Sequence, residues 1–252
     1  MFLKLKQTKS QITMSSSRFI FFVYHLALAL ILQKAFGSQN CSNSGNFAAN
    51  SPYAVNLNDL LNYLTSQTPQ TRFANASFGQ PPDRVYGLAL CRGDMSSQDC
   101  ETCVREAASE IQNRCPNNKG AIIWYYDCLV KYSNTDFFGQ IDTQNKFYIQ
   151  NPNNAANPTA FNLQTEGLLK QLTYQASRNS TLYAAGELQV YGLQRVYGLT
   201  QCTRDLSPSD CKKCLEDLIS EYLPLCCNGR EGGRLYSGSC LAQYEVFRFI
   251  RG

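Results

Sequence analysis

The cysteines of this chain follow a spacing pattern that occurs twice along the sequence. Both copies read C-x8-C-x2-C, and both follow the same lead-in, Arg-Val-Tyr-Gly-Leu, at an offset of 111 residues. The aligned cysteines are Cys91, Cys100 and Cys103 in the first copy and Cys202, Cys211 and Cys214 in the second. A pattern kept at one offset is typical of a duplicated folding unit. The chain is therefore predicted to contain two homologous domains of about 100 residues each.

Residues 1–37 have the features of a secretory signal peptide. Basic residues precede an apolar run at 19–32, and the small residues Ala35 and Gly37 follow it. This order is typical of a signal sequence with its cleavage site. The run is shorter than the about 20 residues of a membrane-spanning helix, so no transmembrane anchor is expected. Residues 1–37 are therefore predicted to be removed on secretion.

The repeat and the predicted cleavage site set the boundaries of the two domains. Residues 38–139 are predicted to form the first domain, and residues 145–252 are predicted to form the second. The connection at 140–144 is short and is not rich in Gly or Ser, as flexible tethers are. We therefore expect the two domains to pack as a rigid pair.

Removal of the signal peptide changes the charge balance of the chain. The whole chain has a formal net charge of +4, but five of its 23 basic residues and none of its 19 acidic residues lie in 1–37. The mature chain is therefore close to neutral and lacks the basic surface expected of a nucleic-acid-binding protein. Its one histidine, His25, is also removed. Serine or cysteine catalysis through an imidazole and histidine-ligated metal sites are thus excluded.

The twelve cysteines are expected to form structural disulfides. Their number is even and the chain is predicted to be secreted, which favours oxidation. The two C-x2-C pairs offer a zinc site as one alternative, but 107 residues separate them, whereas a zinc ribbon has about 15–20. A redox-active C-x2-C at the start of a helix is the other alternative, although such motifs normally stand on a thioredoxin-like βαβ unit. No metal ligand is therefore assigned.

Secondary-structure signals recur in both copies of the repeat. Asn56 is predicted to cap an amphipathic helix whose leucines follow at helical spacing, and 162–175 repeats this helix. A second helix begins after Ser96 in the first copy and after Ser207 in the second, with an acidic residue three positions later. Strands are predicted at 85–90, 121–126, 129–132, 196–201 and 241–247. The predicted class is α+β: two similar disulfide-stapled domains, each an antiparallel sheet with two helices packed on one side.

Three sequons offer sites for N-linked glycans in the secretory pathway. They begin at Asn40, Asn75 and Asn179. All three lie in the predicted mature chain, so a glycoprotein is expected.

The repeated cysteine motif, its lead-in and one segment of the second copy closely resemble a family of plant proteins. In that segment Cys226-Cys227-Asn228-Gly229 leads through Gly232-Gly233-Arg234 to Cys240, Tyr244 and Glu245. The chain from about residue 38 to residue 252 is similar to the plant cysteine-rich repeat secretory proteins, whose unit is the ginkbilobin-homologous, or stress-antifungal, domain. The same tandem forms the ectodomains of cysteine-rich receptor-like kinases and of plasmodesmata-located proteins. Because this sequence ends without a membrane helix or a kinase, the resemblance implies the free form, secreted to the apoplast.

The resemblance also implies how the cysteines pair. The implied disulfides are Cys41–Cys115, Cys91–Cys100, Cys103–Cys128, Cys202–Cys211 and Cys214–Cys240. The second domain departs from the family pattern, because no cysteine lies near 147–154, where the partner of Cys226 is expected. Cys226 and Cys227 are then left as a vicinal disulfide, as free thiols, or with one of them paired outside the domain.

Single-domain members of this family imply a mannose site made of three residues. These are an Asn directly after the first cysteine, an Arg six residues before the last cysteine and a Glu five residues after it. The first domain here has Ser42, Ile122 and Ser133 at these places, so no mannose site is expected there. The second domain keeps Arg234 and Glu245 as candidate ligand-binding residues.

The third residue of the second-domain site lies where the chain has lost its cysteine. Asn153 is taken as the candidate, with Asn151 and Asn154 as its neighbours. A guanidinium can donate to sugar oxygens, and a carboxylate can accept from two vicinal hydroxyls. Strand alternation from the last cysteine predicts that Glu245 faces solvent. The alternative is a surface ion pair of Arg234 and Glu245 with no ligand.

Trp124 lies on the first-domain strand where the second domain has Tyr236. An exposed tryptophan could stack on a sugar ring or anchor a protein contact. A buried position is favoured, because only alternate residues of a strand can face solvent.

Two functions of different kinds fit these observations. The first is a secreted, non-enzymatic binding protein of the plant apoplast, in stress or defence, that recognises a glycan, a peptide or a partner protein. The alternative is an antifungal lectin that binds a mannose-type glycan through the second domain. A hydrolase is not favoured, because no two carboxylates have the spacing of a catalytic pair. The expected partners are therefore a mannose-type glycan or a cell-surface or apoplastic protein, with no nucleic acid and no cofactor.

Overall fold

The computed structural model describes residues 38–190 and 194–251, and each half of this part of the chain forms one sheet and two helices. The predicted signal peptide at 1–37 lies outside the described residues. The first half contains β1 (Ser38–Cys41), α1 (Pro52–Thr71), β2 (Phe73–Phe78), β3 (Val85–Cys91), α2 (Ser97–Arg114), β4 (Gly120–Trp124) and β5 (Cys128–Ser133). The second half contains β6 (Lys146–Gln150), α3 (Pro158–Arg178), β7 (Tyr183–Gln189), β8 (Arg195–Cys202), α4 (Pro208–Cys226), β9 (Gly232–Ser237) and β10 (Cys240–Glu245).

Both sheets are antiparallel and have the same strand order. The first is β1-β4-β5-β3-β2, and the second is β6-β9-β10-β8-β7. Strands β4 and β5 form a hairpin in which Trp124 pairs with Leu129, and β9 and β10 form its counterpart, in which Tyr236 pairs with Leu241. The predicted α+β class with two similar domains is confirmed.

The helices of each domain cover one face of its sheet. In the first domain, α1 and α2 join inward-facing residues of β3, β4 and β5 in one core that includes Tyr53 and Tyr132. The second domain has the corresponding core, with Phe161 and Tyr244. Residues at the other parity of these strands point away from the helices, so each sheet has a second face that can pack.

The first helix of each domain begins earlier than predicted. Ser51 caps α1, its Oγ accepting a backbone N–H of the first turn, and Pro52 is the first helical residue. In α3, Asn157 and the proline after it have the same roles. The predicted cap at Asn56 and the predicted helix at 162–175 were therefore wrong about where these helices start. A polar cap followed by proline fixes a helix start more strongly than the first leucine of the apolar pattern does.

The second helix of each domain begins where it was predicted. Ser96 Oγ accepts from the N–H of Asp99 at 3.1 Å, and Ser207 Oγ accepts from the N–H of Asp210 at 3.1 Å. Each cap satisfies a backbone donor that the helix itself leaves unpaired. The caps of α2 and α4 are thus confirmed.

The predicted strands are present, but two of them end earlier than expected. The strand predicted at 121–126 ends at Trp124, because the chain turns there and the Tyr125 N–H donates to the Cys128 carbonyl at 2.8 Å. The strand predicted at 241–247 ends with β10. Strands β1, β2, β6, β7 and β9 were not predicted. Four of these lie at sheet edges, where burial is lower and the apolar alternation is weak.

The faces of the two sheets that point away from the helices pack against each other. Trp124 of the first domain joins Tyr236 and Phe147 of the second in one apolar cluster. Trp124 Nε1 donates to the Ser237 carbonyl at 2.9 Å across the contact. The described residues consequently lie in one compact unit, in keeping with the expected packing of the two domains.

The structure contains six disulfides among its described residues. Five have the pairing that the resemblance implies, namely Cys41–Cys115, Cys91–Cys100, Cys103–Cys128, Cys202–Cys211 and Cys214–Cys240. The sixth joins the sequence neighbours Cys226 and Cys227. Of the three alternatives for this pair, the structure has the vicinal disulfide.

The residues that the structure describes include four helices, α1 to α4. None of these helices is long and apolar enough to span a membrane. The same residues contain no group of three or more His, Cys, Asp or Glu side chains that could hold a metal ion.

Candidate functional site

The second-domain candidates Arg234 and Glu245 lie beside each other on neighbouring strands. Arg234 lies in β9 opposite Gln243, and Glu245 ends β10 opposite Gly232. Arg234 Nε is 3.9 Å from Glu245 Oε1. A Cβ atom on Gly232 would overlap the Glu245 carboxylate, so this glycine leaves the space that the carboxylate fills. The two strands therefore hold a closely packed ion pair.

Asn151 is the asparagine that contacts Glu245. It follows β6, and its Nδ2 donates to Glu245 Oε2 at 3.1 Å. The candidate Asn153 takes part through its backbone, because its N–H donates to Asn151 Oδ1 at 3.0 Å and holds that side chain in place. Without the lost cysteine, the sequence has no fixed reference in this segment that would distinguish the two asparagines.

Glu245 points away from the helices, but it is not exposed. It is 5% exposed, and its carboxylate packs over Gly232 and contacts Asn151 and Arg234 of its own domain. Tyr126 of the first domain lies against Arg234, whose guanidinium carbon is 4.0 Å from the ring centroid. The prediction that Glu245 faces solvent is therefore wrong, and the pair is not a surface ion pair. Burial raises the pKa of Glu245, and the Asn151 hydrogen bond and Arg234 oppose that rise.

Trp124 is buried between the domains. It is 5% exposed, and its ring centroid lies 5.0 Å from that of Phe147. Phe147 in turn stacks on Tyr236 at 4.7 Å. The prediction of a buried position is confirmed, and the protein contact that this tryptophan anchors is the one between the two domains.

A groove lies in the first domain at the positions that the resemblance aligns with the mannose site. It has a volume of about 440 Å³ and is lined by residues of β4 and β5. Ser42, Ile122 and Ser133 all line it. Residues 140–145, which include the connection between the domains, form another wall. The first domain therefore keeps a groove at this place, although none of the three family side chains is present.

A buried ion pair joins the wall of the groove to the connection. Lys131 Nζ lies 2.7 Å from Asp142 Oδ2, and both side chains are mostly buried. The Phe137 ring lies beside the ammonium group, 4.4 Å from Nζ to the centroid. Asn145 donates to Asp142 through both its backbone N–H and its Nδ2. Burial alone would raise the pKa of Asp142, but Lys131 and Asn145 outweigh it, so this pKa lies below its usual range.

The rest of the lining consists mainly of neutral hydrogen-bonding groups with some apolar surface. The amide and hydroxyl groups include Asn40, Ser42, Ser133, Gln140, Gln144 and Asn145. Ile122 and Phe137 supply apolar surface. A groove of this composition suits a neutral ligand that carries hydroxyl or amide groups.

Sequence reasoning did not find this groove, because one of its walls comes from the connection. No spacing pattern shows that residues 140–145 fold back onto β4 and β5. Lys131 supplied one local signal, since it is a lysine within an apolar predicted strand. A buried lysine needs a charged or hydrogen-bonding partner, and here that partner is Asp142.

The three sequon asparagines are exposed at separate places on the structure. Asn75 lies on β2, and Asn179 follows α3. Asn40 lies at the groove, where its Nδ2 donates to Asn145 Oδ1 at 2.6 Å. A glycan on Asn40 would therefore compete with a ligand for the groove, whereas the other two positions do not line it.

Comparisons with known proteins agree with this architecture. The family model described as Salt stress response/antifungal matches residues 40–135 and 148–246. The antimicrobial ginkbilobin-2-like protein of Castanea crenata is 51% identical over 210 residues, which cover 83% of this chain and 87% of that protein. Cysteine-rich repeat secretory protein 38 of Arabidopsis thaliana is 48% identical over 230 residues, which cover 90% of each chain.

Solved structures have the same arrangement of two domains. The tandem DUF26 ectodomain of the Arabidopsis thaliana cysteine-rich receptor-like protein PDLP8 is similar with a TM-score of 0.73 at 26% identity, covering 84% of this chain and 98% of that one. The tandem DUF26 ectodomain of PDLP5 from the same plant gives a TM-score of 0.68 at 29% identity, with the same coverage of 84% and 98%.

The duplicated sheet, its two helices and its disulfides define a tandem protein of the DUF26 class. The chain belongs to the Salt stress response/antifungal family, whose model matches both of its repeats. Its relatives are named as secretory and antimicrobial proteins, so the predicted family and the predicted location outside the cell are confirmed.

Proposed function

We propose that this protein is a secreted, non-enzymatic binding protein whose ligand is a neutral glycan in the first-domain groove. The observation that supports this function is a volume of about 440 Å³ at the position of the family's ligand site, lined mainly by amide and hydroxyl groups together with the paired Lys131 and Asp142 and with Asp136. Pockets of this size accommodate small ligands such as a short oligosaccharide. Amide and hydroxyl side chains can donate to and accept from sugar hydroxyls, and apolar groups can pack against the ring faces.

The ionisable groups at the groove favour binding without chemistry. Lys131 and Asp142 are paired with each other, and this leaves neither of them free as a general acid or base. Asp136 accepts from the N–H of Phe138 at 3.1 Å and so stabilises the turn after β5. The remaining amide and hydroxyl groups form hydrogen bonds but do not exchange protons with a substrate near neutral pH.

A mannose-binding lectin that uses the second domain is the second candidate. Arg234, Glu245 and Asn151 supply the three residue types of the family site, and Arg234 Nε is buried without a hydrogen-bond partner. A sugar hydroxyl could accept from this N–H. The low exposure of Glu245 weighs against this candidate, because little of the carboxylate is open to a sugar.

Calorimetry on two variants separates these candidates. A glycan array on the mature protein first identifies the sugar to be used. Ser133→Phe fills the groove, and we expect it to weaken binding at least tenfold, which corresponds to about 1.4 kcal/mol. Glu245→Gln replaces one acceptor oxygen of the second-domain cluster with a donor, and it should leave the affinity unchanged.

The matched control for the groove variant is Ser66→Phe, which makes the same change at an exposed position of α1 outside the groove. This control should bind like the parent. Weaker binding by Glu245→Gln together with normal binding by Ser133→Phe would favour the lectin and refute the groove. A mature protein that binds no glycan on the array would contradict both candidates.

A further inference from the structure

Strand β6 is an exposed edge strand with an apolar sequence. It is the terminal strand of the second sheet and pairs with β9 alone in the described part of the chain. Its centre carries Tyr148 and Ile149, which are 45% and 41% exposed. An edge strand with exposed apolar side chains is a template for pairing with another strand.

The end of α4 extends this apolar surface. The Tyr222 ring lies beside that of Tyr148, with 5.9 Å between the centroids. Leu225 is 70% exposed and lies one helical turn after Tyr222, on the same side of the helix. We call Tyr148, Ile149, Tyr222 and Leu225 the β6 surface.

The corresponding edge of the first domain is polar. β1 pairs with β4 as β6 pairs with β9, and this register places Gln39 and Asn40 where the second domain has its exposed tyrosine and isoleucine. Arg114 stands at the helix position of Leu225, and its Nη1 donates to Gln39 Oε1 at 3.1 Å. Polar and charged side chains protect an edge strand from pairing with another chain. The centre of this edge is thus polar in the first domain and apolar in the second.

The free backbone groups of β6 belong to alternate residues. The Asn151 N–H donates to the Gly232 carbonyl at 2.9 Å, which continues the register of β6 with β9. Hydrogen-bonded positions alternate along an antiparallel pair. The odd-numbered residues of β6 therefore bond to β9, and the even-numbered residues point their N–H and C=O groups to the free edge. Tyr148 is the central residue of that edge.

We propose that the β6 surface binds a second copy of this chain, through antiparallel pairing of the two β6 strands about a two-fold axis at Tyr148. This register sets free-edge residues opposite each other, with Lys146 opposite Gln150 of the other copy. Phe147 then lies opposite Ile149, which forms an apolar cross-strand pair. Because the axis is two-fold, the same patch of both copies is used and each of these contacts forms twice.

The charge on β6 fits a second copy in this orientation. Lys146 is the one charged residue of the strand, and its Nζ lies 2.7 Å from Glu221 Oε2. Antiparallel pairing separates the two lysines by about 13 Å, which exceeds the Debye length of about 8 Å at physiological salt. The two copies therefore meet along the strand without a contact between like charges.

Sedimentation velocity on the secreted protein tests this proposal. Protein concentrations of about 1–100 μM are needed, because a small interface gives a weak dimer. We expect a monomer–dimer equilibrium in the parent. The double variant Tyr148→Gln with Ile149→Asn introduces the residues that the first domain has at the same positions, so the fold should tolerate it. Dimerisation should weaken at least tenfold. Leu225→Arg introduces the residue type of Arg114 and should weaken dimerisation as well. If the double variant does not fold, Leu225→Arg alone tests the proposal.

The matched control is Leu163→Arg, because Leu163 is 72% exposed on α3 and lies outside the β6 surface. Its dimerisation should equal that of the parent. A parent that stays monomeric at about 100 μM overturns the proposal. Dimerisation that persists unchanged in the folded double variant and in Leu225→Arg also overturns it.

Discussion

Glu245 is a buried carboxyl group beside Arg234, the residue on which Tyr126 of the first domain packs. Its side chain lies on the face of β10 that points away from the helices. The first domain packs on this face at Gln243 and Arg234, and Glu245 keeps one hydrogen bond from Asn151 and a guanidinium at 3.9 Å. Burial outweighs both, so the pKa of Glu245 lies above its ordinary value of 4.5.

The raised pKa predicts that Glu245 makes the fold less stable as the pH rises. Between 4.5 and its folded-state pKa, the folded protein binds a proton that the unfolded chain has released, so the free energy of unfolding falls with increasing pH. Glu245→Gln should lack this dependence. Relative to the parent, the variant should gain stability as the pH is raised from 4.5 to about 7, as measured by urea unfolding at a series of pH values.

Two other buried carboxyl groups do not interfere with this measurement. Burial alone would raise the pKa of Asp94 and of Asp142, but ion pairs with Arg92 and Lys131 hold both below the ordinary 3.8. The stability that they contribute is present above 3.8 and is lost as the pH falls through their folded-state pKa values. Parallel pH dependences of the parent and of Glu245→Gln above 4.5 would contradict the assigned role of Glu245.

At this scale the sequence predicts the face of a strand on which a residue lies better than it predicts what packs on that face. The family resemblance implies Arg234 and Glu245 as candidates, and strand alternation assigns Glu245 to the correct face of β10. Whether that face meets water depends on a partner sheet, and Tyr126, which covers Arg234, belongs to the other domain. No local pattern around β10 encodes such a neighbour, so the exposure of Glu245 was predicted wrongly.

Elements with strong local signals were predictable, and elements that depend on their neighbours were not. Ser96 and Ser207 satisfy N–H groups of the helices that they begin, and this interaction is visible in the sequence. β1 reads Ser-Gln-Asn-Cys, which has no apolar alternation, and it forms by pairing with β4. Edge strands of this kind become evident only once the rest of the sheet is known.

Loop length predicts how much each disulfide stabilises the fold. Cys41 and Cys115 are 74 positions apart, whereas Cys226 and Cys227 are neighbours. A disulfide that closes a long loop restricts the unfolded chain far more than one between neighbours. The expected gain in free energy of unfolding is about 4 kcal/mol for the long loop and about 1 kcal/mol for the neighbouring pair. We expect the double variant Cys41→Ala with Cys115→Ala to lose about 3 kcal/mol more free energy of unfolding than Cys226→Ala with Cys227→Ala.

Urea unfolding of the two double variants under non-reducing conditions measures this difference. The parent serves as the common reference, and alanine removes two sulfur atoms in each variant. Equal losses would contradict the prediction from loop length. They would indicate that the vicinal pair stabilises the fold through packing, since Cys227 is buried against Gly233 of β9.

At the scale of the whole molecule, the contact between the domains gives the two homologous domains different surroundings. In the second domain the face that carries Arg234 and Glu245 is covered by the first domain. In the first domain the aligned positions open into the groove of about 440 Å³ beside the connection. The repeat predicts two domains of one fold, but it cannot predict this inequality, because the contacts between the copies are not themselves repeated in the sequence.

An NMR titration of isotopically labelled mature protein, with the glycan that the array selects, tests the groove most directly. Backbone amides close to the ligand change their chemical shifts as it binds. The proposed function predicts changes at 120–122, at 131–133 and along 140–145, with none at 232–234 or at Glu245. Changes confined to 232–234 and Glu245 would contradict it and would assign the ligand to the second domain.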